Sequence, residues 1–198
     1  MGNVVPIAVK GIVPQRRPRM REHLLESEVE KLLEAARKNR NGHRDYTLIL
    51  LLFSHGLRIE EGLQVRWHQL NLDDGVFHVH REKGSISGDH RLRGRELRAL
   101  RRLQRESKQA GDYVFVSELG GPMGSRGVRL MIDRVAKRAG LASLNPHPHM
   151  FRHACGYYMG ERGADILLIA DYLGHSDIRH TRRYVALSPR RFQGLWDD

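Results

Sequence analysis

The chain has 198 residues, a formal net charge of +11 and a single cysteine. A chain of this length can bury a core of its own, so it needs no disulfide or structural metal to fold. Its longest apolar run, residues 48–53, is too short to span a bilayer and no export signal precedes it, so we expect no membrane partner.

The charge balance favours a polyanionic partner. The 34 Lys and Arg residues outnumber the 23 Asp and Glu residues, and no basic tail accounts for most of the excess. Nucleic acid is the simplest such partner, although a merely soluble basic protein has the same balance.

Residues 1–22 are predicted to form a basic flexible arm, followed by one folded domain over residues 23–198. The first 21 residues contain three prolines, two glycines and five basic residues, with no acidic residue. Such a segment can bury little apolar surface. Its arginines are available to phosphates, although a tail without a function is an equal alternative: Arg16, Arg17, Arg19 and Arg21.

Apolar spacing predicts helices for most of the folded domain. Ser27 and Glu30 fit a capping box, so a first helix is expected from there to about Lys38. Residues 43–54 are apolar on nearly every face, which is typical of a buried central helix. Further helices are expected at residues 95–108, 125–139 and 165–173.

One segment has the alternation of a strand. Residues 76–80 are expected to pair with a return strand near residues 90–92, across a loop rich in glycine and serine. Lys83 lies near the tip of this hairpin, where it either reaches DNA or is simply solvated. The predicted fold class is therefore mainly α with a small antiparallel β-sheet (α+β).

Arg58 and Glu61 begin a further helix, expected to end near Trp67, directly after a glycine break at Gly56. Residues three apart share a helix face, so Glu61 is expected to orient Arg58. An ordinary surface ion pair, which stabilises little, is the alternative.

Arginines recur on other predicted helices and near the end of the chain. A stripe of arginines could follow the phosphates of a polyanion, but a solvated charged face is the commoner outcome. The candidates for DNA contact are Arg98, Arg126, Arg179, Arg182 and Arg183.

The segment 149–184 indicates phosphate chemistry. Pro148 suits the first turn of a helix, which puts His149 and Arg152 on one face. His175 and Tyr184 follow, the latter among arginines. Guanidinium groups match phosphate oxygens in two-point contacts, and a tyrosine hydroxyl can attack phosphorus. Three other tyrosines lie in apolar helical patterns and are more simply core residues: Tyr157, Tyr158 and Tyr172.

These motifs resemble the tyrosine recombinases, also called phage-integrase-type site-specific recombinases. The likeness covers nearly all of the chain after residue 22. Six positions carry it: Arg58 in HGLRIEEGL, Lys83 in REKG, His149 and Arg152 in HMFRHACG, His175 in YLGHSDI, and Tyr184. The phrases HPHMFRHACGY, DYLGHSDIRHTRRY and FQGLWD are most similar to the small bacterial recombinases that invert the fimbrial promoter switch, which lack an N-terminal core-binding domain.

The resemblance implies DNA cleavage through a covalent intermediate. Tyr184 would attack the scissile phosphodiester, form a 3′-phosphotyrosyl link and release a 5′-hydroxyl. A free tyrosine is rarely ionised at neutral pH, so it needs a proton acceptor, for which His149 is the candidate. Lys83 would protonate the departing oxygen.

The remaining functional positions would bind the phosphate. Arg58 and Arg152 would hold its non-bridging oxygens, and His175 would donate a further hydrogen bond. No metal or other cofactor is expected. The His-x-His-x3-His pattern that begins at His147 and ends at His153 fits a metal site, but the flanking cations would repel a metal.

The resemblance also implies partners. We expect the protein to bind double-stranded DNA, in the cytoplasm at the nucleoid. On DNA it is expected to form a homo-tetramer joined through the C-terminal tail 185–198, with accessory DNA-bending proteins. The tail could instead fold back on its own subunit. DNA inversion and mobile-element integration or excision are the expected reactions. A topoisomerase of type IB and a catalytically inactive DNA-binding regulator are the alternatives.

Overall fold

The computed structural model describes residues 21–82, 84–107 and 111–185. The predicted arm, except Arg21 and Glu22, and all but the first residue of the predicted tail lie outside these ranges. The helices are α1 (Glu26–Ala36), α2 (Gly42–Ser54), α3 (Ile59–Leu63), α4 (Gly94–Glu106), α5 (Ser125–Arg138), α6 (Pro148–Glu161), α7 (Ile166–Leu173) and α8 (Arg182–Val185). The strands are β1 (Leu70–Asn71), β2 (Val76–Val79) and β3 (Gly88–Arg91). The predicted fold class, mainly α with a small antiparallel sheet, is confirmed.

Helix α2 is the centre of the hydrophobic core, as its sequence predicts. Leu51 and Leu52 have no exposed surface, and α2 packs against α1, α4 and α6. Each fully buried leucine contributes about 1.5–3 kcal/mol of hydrophobic stabilisation. Because α2 is anchored along its whole length, the residues that follow it are delivered into the protein interior. In the described ranges no helix is both long and apolar enough to cross a membrane.

The three strands form an antiparallel sheet in the order β1-β2-β3. Phe77 pairs with His90, and Phe77 and Val79 are buried while His78 between them is exposed. The return strand begins at Gly88 rather than near His90, because its pairing with β2 extends to Val79. Lys83, predicted near the hairpin tip, lies outside the described residues.

Two local predictions are wrong. The first helix begins at Glu26, and the backbone N–H of Leu25 donates to the Glu28 side chain at 2.8 Å, so Ser27 and Glu30 form no capping box. Glu30 instead pairs with an arginine of α4. Helix α3 ends at Leu63, well before Trp67, because the chain becomes extended and Arg66 forms a β-bridge with Tyr113.

Candidate active site

Arg152 on α6 is held inside the protein, with 2% of its surface exposed. Its guanidinium donates to the carbonyl of Gly56, just beyond α2, at 2.5 Å and to the carbonyl of Leu173, the last residue of α7, at 2.6 Å. The final carbonyls of a helix lack partners within the helix and carry partial negative charge, so the end of α7 stabilises this buried cation, and the carbonyl of Gly56 is a second acceptor. Burial and the charges of Arg81 and Arg58 lower the pKa of Arg152 to about 10, which leaves it charged at neutral pH.

The carboxylate of Glu61 connects three arginines. It accepts hydrogen bonds from the backbone N–H and the side chain of Arg58, at 2.8 and 2.6 Å, and from Arg81 at 2.8 Å. Its Oε2 also lies 3.9 Å from Nη1 of Arg152. Burial raises the pKa of Glu61, but the charge of Arg81 and these hydrogen bonds outweigh burial and hold the pKa below its ordinary value. Glu61 is buried, so its contact with Arg58 is not an ordinary surface pair.

Sequence reasoning missed Arg81. Its side chain is 1% exposed, and it joins the base of the β2–β3 hairpin to Glu61. It also donates to three backbone carbonyls, those of His55, Gly56 and Tyr172. An arginine just after a predicted strand is normally interpreted as a solvated side chain. The one sequence feature that could have indicated a role in the site was the position of Arg81, two residues before Lys83.

Two glycines allow the ends of α2 and α7 to meet at Arg152. Gly56 has a φ of +56°, and a Cβ there would lie 2.3 Å from Cδ2 of Leu173. Gly174 has a φ of +69°, and a Cβ there would lie 2.7 Å from the carbonyl oxygen of Ile86. A larger residue at either position would be strained, because residues with a Cβ rarely adopt left-handed backbone, and its Cβ would also clash.

The charges of Arg58 and Arg152 act on both predicted histidines. His149, in the first turn of α6, is exposed, and desolvation together with the charge of Arg152 lowers its pKa. His175 is half-buried, and its Nδ1 lies 2.8 Å from Oγ1 of Thr181. Burial, with the charge of Arg152 next in importance, lowers the pKa of His175 to about 4. Both imidazoles are therefore neutral at physiological pH.

Tyr184 on α8 lies beside these groups and is 3% exposed. Its ring is stacked with that of His175 at a centroid distance of 6.3 Å, and its hydroxyl lies 2.9 Å from Nδ1 of His153. Burial raises the pKa of Tyr184 to about 12, although the charges of Arg152 and Arg183 oppose the shift. The phenol is therefore protonated in the DNA-free protein.

The competing tyrosines have structural contacts. The hydroxyl of Tyr172 donates to the carbonyl of Ser54 at 2.8 Å, and Tyr158 packs edge-on against Phe53. Tyr157 packs edge-on against the ring of Tyr184. The three were predicted to be core residues, but each is only half-buried, so they pack against the core rather than lie inside it.

A cavity of about 400 Å³ opens beside the arginines. The charged and titratable side chains in its wall include Arg58, Glu60, Glu82, Arg129, His147 and His149. The cavity thus exposes Arg58 and His149 on the surface next to the buried Arg152. Among the described residues no cluster of His, Cys, Asp or Glu side chains is arranged to hold a metal ion, and the histidine pattern from His147 to His153 is no exception.

The predicted DNA contacts are exposed wherever the structure describes them. These residues are Arg98, Arg126, Arg179, Arg182 and Arg183. Arg179 is paired with Asp177 at 2.8 Å, and Arg183 lies 3.3 Å from Glu22. Arg16, Arg17, Arg19 and Lys83 lie outside the described residues.

Comparison with known proteins identifies the family of this chain. The sequence model of the phage integrase family matches residues 22–191. The chain is 41% identical over 185 residues to the type 1 fimbriae regulatory protein FimE of Escherichia coli K12, covering 89% of this chain and 91% of that protein. It is 32% identical to the tyrosine recombinase XerC of Xanthomonas axonopodis pv. citri, covering 91% of this chain and 59% of XerC.

A solved structure has the same fold. The XerA recombinase superposes with a TM-score of 0.75 at 26% identity, over 87% of this chain and 63% of that one. The chain thus spans less than two thirds of the XerA and XerC chains but nearly all of FimE. The family match, the identity to FimE and the shared fold agree with one another, and the chain belongs to the phage integrase family of tyrosine site-specific recombinases.

Proposed function

We propose that this recombinase cuts and rejoins double-stranded DNA with Tyr184 as its nucleophile. The observation that carries the proposal is the position of a phenol beside a cluster of cations anchored through one buried carboxylate. Two arginines of that cluster, Arg58 and Arg152, contact the same Glu61 side chain. The family match covers residues 22–191, which supports most of the proposed catalytic domain, residues 23–198.

In this proposal Arg58 and Arg152 hold the non-bridging oxygens of the scissile phosphate. A guanidinium has five N–H donors, and the two carbonyl contacts of Arg152 use only part of that set. His175 donates a further hydrogen bond. Each preorganised donor aimed at developing charge contributes about 3 kcal/mol to lowering the barrier. Glu61 orients the arginines without touching the DNA.

The proton transfers are assigned to His149 and Lys83. As the oxygen of Tyr184 bonds to phosphorus, its proton passes to His149, which is neutral and exposed at the cavity. The bond between phosphorus and the 5′ oxygen breaks, and that oxygen takes a proton from Lys83. The phosphotyrosyl bond preserves the energy of the phosphodiester, so a 5′-hydroxyl can reverse the step and seal the strand without ATP.

DNA binding is assigned to the basic surface. The exposed arginines of α4, α5 and the segment around Tyr184, with the N-terminal arm, would contact phosphates. Each phosphate neutralised adds about 0.9 to the slope of log affinity against log salt concentration, so binding should weaken steeply with salt. Because the substrate is chromosomal DNA, the proposal places the protein in the cytoplasm at the nucleoid.

The biological reaction we propose is inversion, or integration and excision, of a DNA segment. FimE, to which the chain is similar over nearly its full length, is a regulatory protein of type 1 fimbriae, and inversion of a promoter segment is a direct way for a recombinase to regulate expression. Strand exchange needs two cuts on each of two sites. The proposal therefore includes a DNA-bound homo-tetramer, linked by the C-terminal tail, with DNA-bending proteins to bring the sites together.

The test is covalent trapping on nicked DNA. The full chain is incubated with randomly nicked genomic DNA of the organism that encodes it, where a nearby nick lets the cleaved fragment diffuse away. We expect a detergent-resistant adduct, with the nucleotide on Tyr184 by mass spectrometry, and no adduct for Tyr184→Phe. DNA retention without any adduct would instead support an inactive regulator. Relaxation of supercoiled plasmids that lack the trapped sequence would support a topoisomerase.

A further inference from the structure

The hydroxyl of Tyr184 has a partner to which the motif comparison assigns no role. Nδ1 of His153 lies 2.9 Å from the phenol oxygen. His153 directly follows Arg152 on α6, and its ring is half-buried. It therefore joins the proposed nucleophile to the helix that carries two of the predicted site residues, His149 and Arg152.

Packing fixes the ring of Tyr184, and with it the position of the phenol oxygen, but the direction of the O–H bond depends on its polar partners. A Cβ at Gly156 would lie 2.7 Å from three atoms of the ring, so the phenol rests directly on the backbone of α6. Tyr157 meets the ring edge-on at 5.2 Å and His175 stacks at 6.3 Å. Dispersion and shape complementarity restrict the motion of the Tyr184 ring. Its O–H bond rotates freely until a hydrogen-bond partner fixes its direction.

The charges around His153 determine what kind of partner it is. Burial, with His149 and Arg183 as the next contributions, lowers the pKa of His153 to about 3, and Arg152 and His147 act in the same direction. The imidazole is therefore neutral and carries one N–H. If that proton is on Nδ1, the ring donates to the phenol oxygen and leaves the phenol proton for another acceptor.

We infer that His153 is a positioning residue for Tyr184, whose Nδ1–H donates to the phenol oxygen and so turns the phenol proton away from His153 before and during the attack on phosphorus. This inference rests on the proposed function, in which Tyr184 is the nucleophile. The oxygen forms its bond to phosphorus while the phenol proton passes to His149 and the 5′ oxygen leaves with a proton from Lys83. His153 keeps its own proton throughout and stabilises the negative charge that develops on the phenol oxygen.

The neighbouring ring of His149 makes this division of roles geometrically reasonable. The two imidazoles meet edge-on with their centroids 4.5 Å apart, one turn apart on α6. His149 is exposed at the cavity, where it can release a proton to solvent, while His153 is half-buried behind it. One histidine is thus suited to proton transfer and the other to holding the oxygen.

The experiment compares three substitutions of His153 on the nicked genomic DNA used for trapping. The amide of His153→Asn lies where Nδ1 lies in histidine, the amide of His153→Gln reaches the position of Nε2, and His153→Ala removes both. Adduct formation is measured as a first-order rate at saturating protein, and DNA affinity is measured separately by filter retention. His68→Ala, at an exposed histidine that pairs with Asp112, is the control.

We expect His153→Ala to form the adduct about 100-fold more slowly, the loss typical of a misplaced reacting group, with unchanged DNA affinity. His153→Asn should recover most of the rate and His153→Gln should not. The rise of the rate with pH should move to higher pH in His153→Ala, because the phenolate loses a donor. A synthetic duplex of the trapped sequence, with sulfur at the bridging 5′ position, needs no proton for its leaving group, so it should rescue Lys83→Ala but not His153→Ala.

Several results would overturn the inference. An unchanged rate in His153→Ala, or equal rates in the Asn and Gln variants, would show that the Nδ1 contact does not position the phenol. Since Asn and Gln differ only in where they place the same amide, a folding defect common to both could not produce the expected contrast. If Tyr184→Phe still formed an adduct, the proposed function would fail first. An inactive Tyr184→Phe with a fully active His153→Ala would reject the role of His153 alone.

Discussion

Replacing Glu61 by Gln tests whether one buried charge holds the arginines of the site together. Glutamine keeps the shape of the side chain but removes its negative charge, and its amide N–H₂ would face N–H donors of the arginines. Glu61 and Arg81 have side chains that are each 1% exposed and 2.8 Å apart. At an effective dielectric constant of about 20, Coulomb's law gives roughly 6 kcal/mol of attraction at that separation, part of which desolvation offsets.

Breaking a buried ion pair from one side typically costs about 3–5 kcal/mol, because the remaining charge is left without compensation. Arg58 is 31% exposed and adds little to this figure, since water screens it. We therefore expect Glu61→Gln to lower the free energy of unfolding by about 3–5 kcal/mol in urea denaturation, a large share of the roughly 5–15 kcal/mol of a typical domain. Adduct formation should fall as well, because Arg58 loses its orienting partner.

Glu106→Gln is the matched control. Glu106 pairs with Arg102 at 2.6 Å, but 47% and 55% of the two side chains are exposed. An exposed pair one helical turn apart is worth about 0.3–0.5 kcal/mol, so this variant should be nearly as stable as the wild type. If Glu61→Gln lost no more than the control, the view that this carboxylate holds the arginines in place would be wrong.

Two further predictions concern the surroundings of the site. Burial, a neighbouring histidine and a neighbouring arginine lower the pKa of His90 to about 3. Below about pH 6.5, His90 binds a proton in the unfolded chain but not in the native state. The stabilisation that is present above that pH is therefore lost as the pH falls, at about 1.4 kcal/mol per pH unit. The slope of unfolding free energy against pH, measured in urea between pH 6 and 4, should therefore be shallower in His90→Gln by about that amount. Separately, Gly156→Ala places a Cβ 2.7 Å from the ring of Tyr184. This overpacking should lower the free energy of unfolding by about 1–3 kcal/mol, and adduct formation should become slower. Gly127→Ala, with nothing within 4 Å, should instead stabilise α5 by up to about 1 kcal/mol.

Each of these has a result that contradicts it. His55, Arg81 and Glu96 lie around His90, and equal pH slopes in the wild type and His90→Gln would mean that His90 does not control the acid sensitivity. For the glycines, equal urea midpoints in Gly156→Ala and Gly127→Ala would show that the phenol does not rest on α6 as described.

The amino-acid sequence determined the features that depend on neighbours along the chain. Apolar spacing identified α2 and its burial, and Pro148 marked the start of α6. The contact between Arg58 and Glu61 was predicted from their spacing, but Arg58 precedes α3 as its N-cap, so the contact is a capping one rather than one between residues on a helix face. The family motifs could also be recognised from the sequence, because each consists of a few consecutive residues. The cap of α1 was misplaced by two residues because several acidic residues near its start compete for the same role.

Tertiary structure alone decided what surrounds the phenol and the buried arginines. Arg81 meets Glu61 across 20 positions of sequence, and His153 meets Tyr184 across 31. Periodicity reports which face of a helix is buried but not which element covers it. The residue type does not show whether an arginine or a histidine is buried or solvated. Its role depends on the carboxylate, carbonyls or hydroxyl that the fold places next to it. Helix ends, glycine turns and one carboxylate make this basic site stable, because only their three-dimensional convergence compensates the charges that are removed from water.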